Sequence, residues 1–349
     1  MNAKSARIAV YGAGAMGTVL GALLTKGGLS VDLITRNCEH VEGLKNKGAT
    51  LVCVADKTEI TVPVHALTPS EMTEKYDVIF LMTKQRQNAE ILEFLQSRLS
   101  ENGVICTTQN GLPEESVLEK IGAEKTYGCV ASYGASFIGE GKVALTSQMQ
   151  AMTMQVGGYK NDGEKTELLR EILSYAGKAV ENEGFALATD NLAGARWSKL
   201  AINAAFSGLS VITGQTFGEI AKKRKSKKIA LALLRECMDV ANALGVELTK
   251  TQGHDLQKML GNRSFFGTRF ALFALSIAMK RHKNLRSGML ADIQKGRKCE
   301  IDYINGLVCK MGEKTQTPTP LNAQIVEMAH GIENGLYEIS KENLDFINI

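Results

Sequence analysis

The sequence predicts an α/β chain in two parts: an N-terminal doubly wound parallel sheet, residues 1–185, and an all-helical C-terminal domain, residues 186–349. Three observations carry this. Up to about residue 185, short apolar β-branched runs alternate with helical patterns, which implies βαβ units with helices on both sheet faces. From about residue 190 the strand-like runs stop and long helical patterns follow. A glycine-rich loop sits between the first strand and the first helix. A length of 349 residues agrees with two domains of ~150 residues or more.

Taken in order, Arg7–Tyr11, Ser30–Thr35, Val78–Met82, Val104–Thr107 and Cys129–Ser132 read as strands, with Met16–Lys26 and Gln87–Leu99 as helices between them. In the second part, Asn191–Thr213, Ile229–Leu244, Gly267–Lys280, Gly288–Lys310 and Pro320–Leu336 read as helices. Hydrophobic residues make up 44% and charged residues 22%, which excludes a disordered or collagen-like chain. The net charge of +4 gives no reason to expect a nucleic-acid partner. No run reaches the ~18 apolar residues of a membrane span, so no membrane partner is expected. Met1–Arg7 runs into a strand without a separate apolar region, which makes a cytoplasmic location the expectation. The 7 cysteines include no CxxC pair and read as reduced. The histidines His40, His65, His254, His282 and His330 lack metal-ligand spacing, so no metal is expected.

Gly12-Ala13-Gly14-Ala15-Met16-Gly17 is the sharpest local signal. Gly12 allows a tight turn, Gly14 lets backbone approach a pyrophosphate, and Gly17 lets helix and strand pack closely. The helix start offers free N–H groups and a positive dipole end to phosphates. The second strand ends in Thr35-Arg36-Asn37 and its only acid, Asp32, comes too early to hold a ribose. Arg36 suits a 2′-phosphate through paired charge-assisted bonds, so NADP(H) is favoured. Lys84 and Asn110-Gly111 follow two further strands at their carboxyl ends, where such sheets bind ligands; Asn110-Gly111 also reads as a plain turn.

Two stretches of the helical half place polar groups on apolar faces. In Ala195–Ser207, Lys199, Asn203 and Ser207 stand at i, i+4 and i+8, flanked by Leu192, Ala195 and Phe206. A lysine buried there is a candidate general acid, because burial lowers its pKa; one that snorkels to solvent is the plainer alternative. In Ser287–Gly306, a helical wheel puts Glu300 amid Met289, Ile293, Gly296, Ile304 and Leu307. That carboxylate needs a partner, and Arg297 at helical spacing is one. The run Lys222–Lys228 is the densest charge in the chain and reads as a solvated helix start or loop, with an anionic contact as the alternative.

These motifs together resemble the ketopantoate reductase (2-dehydropantoate 2-reductase) family over most of the length. The resemblance rests on Gly12–Gly17, Lys84, Asn110-Gly111, Arg196–Asn203 and Met289–Gly306. It implies a Rossmann domain with a helical domain like that of 6-phosphogluconate dehydrogenases, and an active site in the cleft between them. The implied reaction is NADPH-dependent reduction of ketopantoate to pantoate, in pantothenate and coenzyme A biosynthesis. By the same resemblance, Lys199 is the general acid. Glu300 holds the substrate hydroxyl, helps set the lysine's charge and counts among the cofactor contacts. Asn203 orients substrate, Asn110 lies at the nicotinamide end, and Arg36 and Lys84 grip the adenosine-side phosphates. A homodimer is compatible with this reading.

Two positions depart from the family's pattern. Ser207 stands where a second Asn is usual, and Gly288 where a second Ser is usual; both positions touch substrate in the family, and Ser287 beside them is expected to bind substrate too. The loss of two polar contacts points to a different or bulkier 2-oxo acid as one alternative, because unmade hydrogen bonds set specificity strongly. A non-catalytic NADPH-binding regulator is another, although Lys199 and Glu300 argue against it.

Overall fold

The computed structural model describes residues 2–160, 162–251 and 253–348. They form two units. One contains the chain up to Gln109 together with Pro113–Leu192; the other contains Asn110–Leu112 together with the chain from Ala193 onward. The first unit runs past residue 185 because Ala186–Ala188 is a strand of its sheet.

The strands of the first unit are β1 (Ile8–Tyr11), β2 (Val31–Ile34), β3 (Ala49–Cys53), β4 (Thr58–Val62), β5 (His65–Leu67), β6 (Tyr76–Leu81), β7 (Leu99–Thr107), β8 (Thr126–Ala131), β9 (Ala135–Gly139), β10 (Lys142–Leu145), β11 (Met154–Gly158) and β12 (Ala186–Ala188). Its helices are α1 (Ala15–Lys26), α2 (Cys38–Lys47), α3 (Asn88–Gln96), α4 (Glu114–Ile121) and α5 (Gly163–Ala179). The large sheet has the order β12-β11-β8-β7-β6-β1-β2-β5. From β8 to β5 every pairing is parallel. All four residues of β1 are buried, the continuous apolar run that a strand covered on both faces requires. Ile8 lies opposite Val31 on one side and Val78 on the other. The chain thus builds outward from β1 in both directions, and ligands bind at the carboxyl ends around such a switch point.

Two features depart from the expected all-parallel sheet. β11 runs antiparallel to β8, so the far edge is mixed. A separate sheet in the order β4-β3-β10-β9 was not anticipated. Its strands are short and closed by tight turns at Lys57 and Gly141, both at positive φ.

The second unit carries α6 (Leu192–Ile202), α7 (Gly208–Thr213), α8 (Phe217–Lys222), α9 (Arg224–Ala243), α10 (Leu256–Leu260), α11 (Phe265–Ala278), α12 (Gly288–Gln294), α13 (Asn305–Thr315) and α14 (Pro320–Glu333). Its core gathers Trp197, Phe206, Leu234, Ile301, Ile325 and their neighbours. Two expected continuous helices are broken. Asn191–Thr213 is interrupted by a π-helical turn, Asn203–Ser207, between α6 and α7. Gly288–Lys310 stops at Gln294, because Gly296 takes a left-handed φ of 67° that ends a helix rather than continuing it. The basic run lies where α8 ends and α9 begins; Lys225 pairs with Asp345, and Lys227 Nζ donates to Ser276 Oγ at 2.9 Å. No helix among the described residues is long and apolar enough to cross a membrane.

Candidate active site

The glycine loop follows from what a side chain would meet there. Gly12 has φ 101°, and a Cβ on it would lie 2.6 Å from Thr83 N. A Cβ on Gly17 would lie 2.4 Å from Gly12 O. Both positions therefore exclude every other residue by backbone contact. Gly14 is exposed, and a Cβ there would meet nothing within 4 Å. The N–H groups of Gly12 and Ala13 donate to Ile34 O at 2.9 and 2.8 Å, which ties the loop to the end of β2. Ala13 is buried, while Ala15 and Met16 are half-buried. No side chain caps α1, and its first turn has no acid. Such a start leaves N–H donors and a positive dipole end for an anion, and a dinucleotide pyrophosphate fits it.

Neighbouring loops complete this edge. Arg36 is exposed after β2 and its guanidinium donates to Gln87 Oε1. Asp32 is already engaged: its carboxylate accepts from Tyr76 OH and bonds His65 Nδ1, both at 2.6 Å. Burial, reinforced by that bond to Asp32, pushes the Tyr76 hydroxyl well above its ordinary pKa. Lys84 is exposed and follows Thr83 beyond the end of β6.

Two buried amides, neither given a role in the sequence reading, tie the loops after β6 and β7. Gln109 Nε2 donates to Thr83 O at 2.9 Å and Asn88 Oδ1 at 2.7 Å, while Asn88 Nδ2 donates back to Gln109 Oε1 at 3.0 Å. Nothing in the sequence distinguishes them from solvated loop amides. Asn110, the next residue, is exposed and belongs to the second unit, with Gly111 at φ 77°.

A buried histidine braces the glycine loop from behind. Gly141 N donates to His40 Nδ1 at 3.0 Å, which leaves the proton on Nε2 to bond Thr18 Oγ1 at 3.0 Å. Thr18 Oγ1 then donates to Ala13 O at 3.2 Å. Burial holds the His40 pKa below its ordinary value of 6.5. The folded state therefore keeps the neutral ring while the unfolded chain takes up a proton, so stability falls as pH drops below about 6.5. The thermal midpoint is expected to decline from about pH 7 to pH 5, and to decline less steeply in His40→Gln. Equal slopes in both proteins would remove His40 as the cause.

In the second unit, Lys199 lies near the end of α6 and is half-buried, while Leu192 and Ala195 on the same helix and Phe206 beyond it are buried. The π-helical turn starts directly after α6. Half-buried Asn203 opens it and buried Ser207 closes it, so they sit at the ends of one widened turn rather than on successive α-turns. π-turns occur frequently at functional sites. Arg196, only 2% exposed, is a second cation on α6, one that the sequence reading placed in the Arg196–Asn203 motif without a role of its own.

Ser287 is buried and caps α12, its Oγ accepting from Met289 N at 3.1 Å. Its own N–H donates to Ser210 Oγ on α7 at 3.3 Å. Gly288 is exposed, and a Cβ there would meet nothing within 4 Å. α12 packs against α7 and the π-turn, which brings Ser287 and Gly288 to the element that bears Asn203 and Ser207. Glu300 is 6% exposed and precedes the 3-10 turn Ile301–Tyr303. The helical face drawn through it does not form, and neither does the helical spacing to exposed Arg297. Instead Cys299 N donates to Glu333 Oε1 at 2.7 Å, which anchors the irregular segment just before Glu300.

Comparison with known proteins bears on both units. Residues 8–158 match the family model described as ketopantoate reductase PanE/ApbA, and residues 191–333 match the model of its C-terminal part. The chain belongs to the ketopantoate reductase family. A 2-dehydropantoate 2-reductase of Archaeoglobus fulgidus is 26% identical over 340 residues, covering 95% of this chain and 99% of the relative. The crystal structure of 2-dehydropantoate 2-reductase from Geobacter metallireducens GS-15 superposes with TM-score 0.76 at 26% identity, covering 95% of this chain and 100% of that one. A ternary structure of D-mandelate dehydrogenase with NADH and anilino(oxo)acetate shares the fold, with TM-score 0.79 at 24% identity and coverage of 95% and 99%. This family member is thus an oxidoreductase of the 2-oxo acid reductase type, acting on a CH–OH group.

Proposed function

We propose that this protein reduces ketopantoate to pantoate with NADPH, a step toward pantothenate and coenzyme A. The observation that carries the reading is the π-helical turn that follows α6, one turn beyond Lys199, with Asn203 and Ser207 at its two ends. When bound, the cofactor supplies a hydride to the carbonyl carbon. The carbonyl oxygen then gains negative charge, and Lys199, as an ammonium, donates the proton that turns it into a hydroxyl. Glu300 accepts a hydrogen bond from the substrate's hydroxyl and favours the charged lysine. Asn203 and Ser207 donate to the oxo acid, with Ser287 and the backbone at Gly288 beside them. The backbone of Gly12–Gly17 holds the pyrophosphate, Arg36 and Lys84 hold the adenosine-side phosphates, and Asn110 orients the nicotinamide end.

Support for NADPH over NADH comes from two neighbouring side chains. Arg36 follows β2, where a ribose-binding acid would otherwise stand, and Asp32 is committed to Tyr76 and His65. A 2-oxo acid other than ketopantoate is the second reading, favoured by Ser207 and open Gly288.

The test is NADPH oxidation with ketopantoate and bulkier 2-oxo acids, with NADH in parallel. Ketopantoate turnover selective for NADPH is the expected result; faster turnover of another acid would move the function to the second reading. Gly288→Ser meets no clash. Combined with Ser207→Asn, it should shift preference toward ketopantoate by about tenfold through the hydroxyl added at 288 and the longer-reaching amide at 207. No shift would remove these positions as specificity determinants. NADPH binding without turnover of any acid would favour a regulator.

A further inference from the structure

We propose that Asn305 is a positioning residue for the oxo-acid site, through its hold on the π-helical turn; the inference rests on the reading that Asn203 and Ser207 meet the substrate. Within the turn Gly208 N–H reaches Asn203 O, five residues back. The next carbonyl along, Ala204 O, accepts a hydrogen bond at 3.0 Å from the side chain of Asn305, which lies far away in sequence. The same Nδ2 donates to Asn322 Oδ1 at 2.9 Å. These two acceptors fix which way the amide points. Its Oδ1 has no partner among the described residues and lies against Gly208, where a Cβ would come within 2.9 Å of it.

Asn322 is held in turn by Glu236 of α9. Its Nδ2 and N–H donate to Glu236 Oε2 at 2.7 and 3.0 Å, and Leu321 N donates to Oε1 at 2.9 Å. Glu236 thereby supplies the cap that α14 lacks from its own sequence. Asn305 and Asn322 are both 0% exposed and sit in a core of Phe206, Ile304, Val308 and Ile325. Polar groups buried so deeply cost stability unless bonded. Replacing such a buried polar network by well-packed apolar groups is often neutral or stabilising, so stability is a weak account of it. Its effect is geometric: three polar side chains from α9, α13 and α14 end on one carbonyl of the turn that carries Asn203 and Ser207.

Three variants test this. Asn305→Ala removes both donated bonds. Asn305→Asp sets an acceptor against two acceptors. Gly208→Ala keeps Asn305 but crowds its Oδ1. For each variant we would measure melting temperature, NADPH affinity, KM and kcat for the best oxo acid, and amide hydrogen exchange over residues 203–208. The expected result is a KM for the oxo acid raised about tenfold, unchanged NADPH affinity and faster exchange confined to the turn. Wild-type KM and wild-type exchange at 203–208, even with a lower melting temperature, would reduce Asn305 to a stability residue and overturn the proposal. Exchange needs no turnover. If the parent enzyme turned over no oxo acid, the functional reading would fail while exchange still decided whether Asn305 holds the turn.

Discussion

Lys199→Ala is expected to lower turnover of the oxo acid by about 10²–10⁴-fold, the usual worth of a positioned proton donor, while NADPH binds as before. The separation follows from where the parts lie. Lys199 stands on α6 in the second unit, whereas Gly12–Gly17, Arg36 and Lys84 belong to the first. Loss of the ammonium leaves the glycine loop and its brace through Thr18 and His40 unchanged. Lys199→Arg should rescue little, because a guanidinium keeps its proton at any working pH and cannot act as the acid. Lys199→Met keeps an aliphatic stem at this half-buried position and should match Lys199→Ala in rate, which controls for lost packing. Single-turnover hydride transfer and a fluorescence titration of NADPH separate the two effects. Equal loss of binding and turnover would remove Lys199 from the proton-donor role.

Arg36→Ala is expected to weaken NADPH by about 10- to 100-fold and leave NADH nearly unchanged, since hydrogen bonds to a charged group are the stronger class. The structural cost should be small: Arg36 is exposed, and its visible partner is the side chain of Gln87. NADPH affinity of the parent should also fall with added salt more steeply than NADH affinity, because the extra phosphate is read by charge. KM for both cofactors at two ionic strengths checks this. A parent that prefers NADH, or a variant that loses both cofactors equally, would contradict the assignment.

The first unit was legible because its signals are local. A strand, a glycine turn and a helix follow one another at the start of the chain, and the contacts at Gly12 and Gly17 are made with backbone. The small sheet of β3, β4, β9 and β10 was not legible, because each strand of its two hairpins is only a few residues long and the parallel pair that joins them, β3 with β10, brings together residues far apart. In the second unit the candidate residues stood out for a reason that proved incomplete. Lys199, Asn203 and Ser207 are spaced for an α-helix, yet the chain widens between the last two. That widening is set by Asn305 and Asn322, and no local pattern announces it. Gly296 was visible as a glycine in a helical pattern, but a left-handed stop reads the same as a tolerated interior glycine until φ is known. Glu300 was therefore singled out from a helical face that does not exist. It is nonetheless buried, because the break turns the chain inward at Cys299 and Ile301.

The short stretch Asn110–Leu112 groups with the second unit although the chain on either side of it belongs to the first, and Leu112 packs on the second unit's core. The polypeptide therefore crosses from one unit to the other three times. A fragment beginning at Ala193 would start folding without Leu112, leaving a notch in its apolar surface, and a fragment ending at Leu192 would carry that leucine uncovered. Cutting this protein into its two apparent halves is thus expected to yield two sticky, incomplete pieces. Limited proteolysis between the units should inactivate the enzyme without releasing a well-behaved domain.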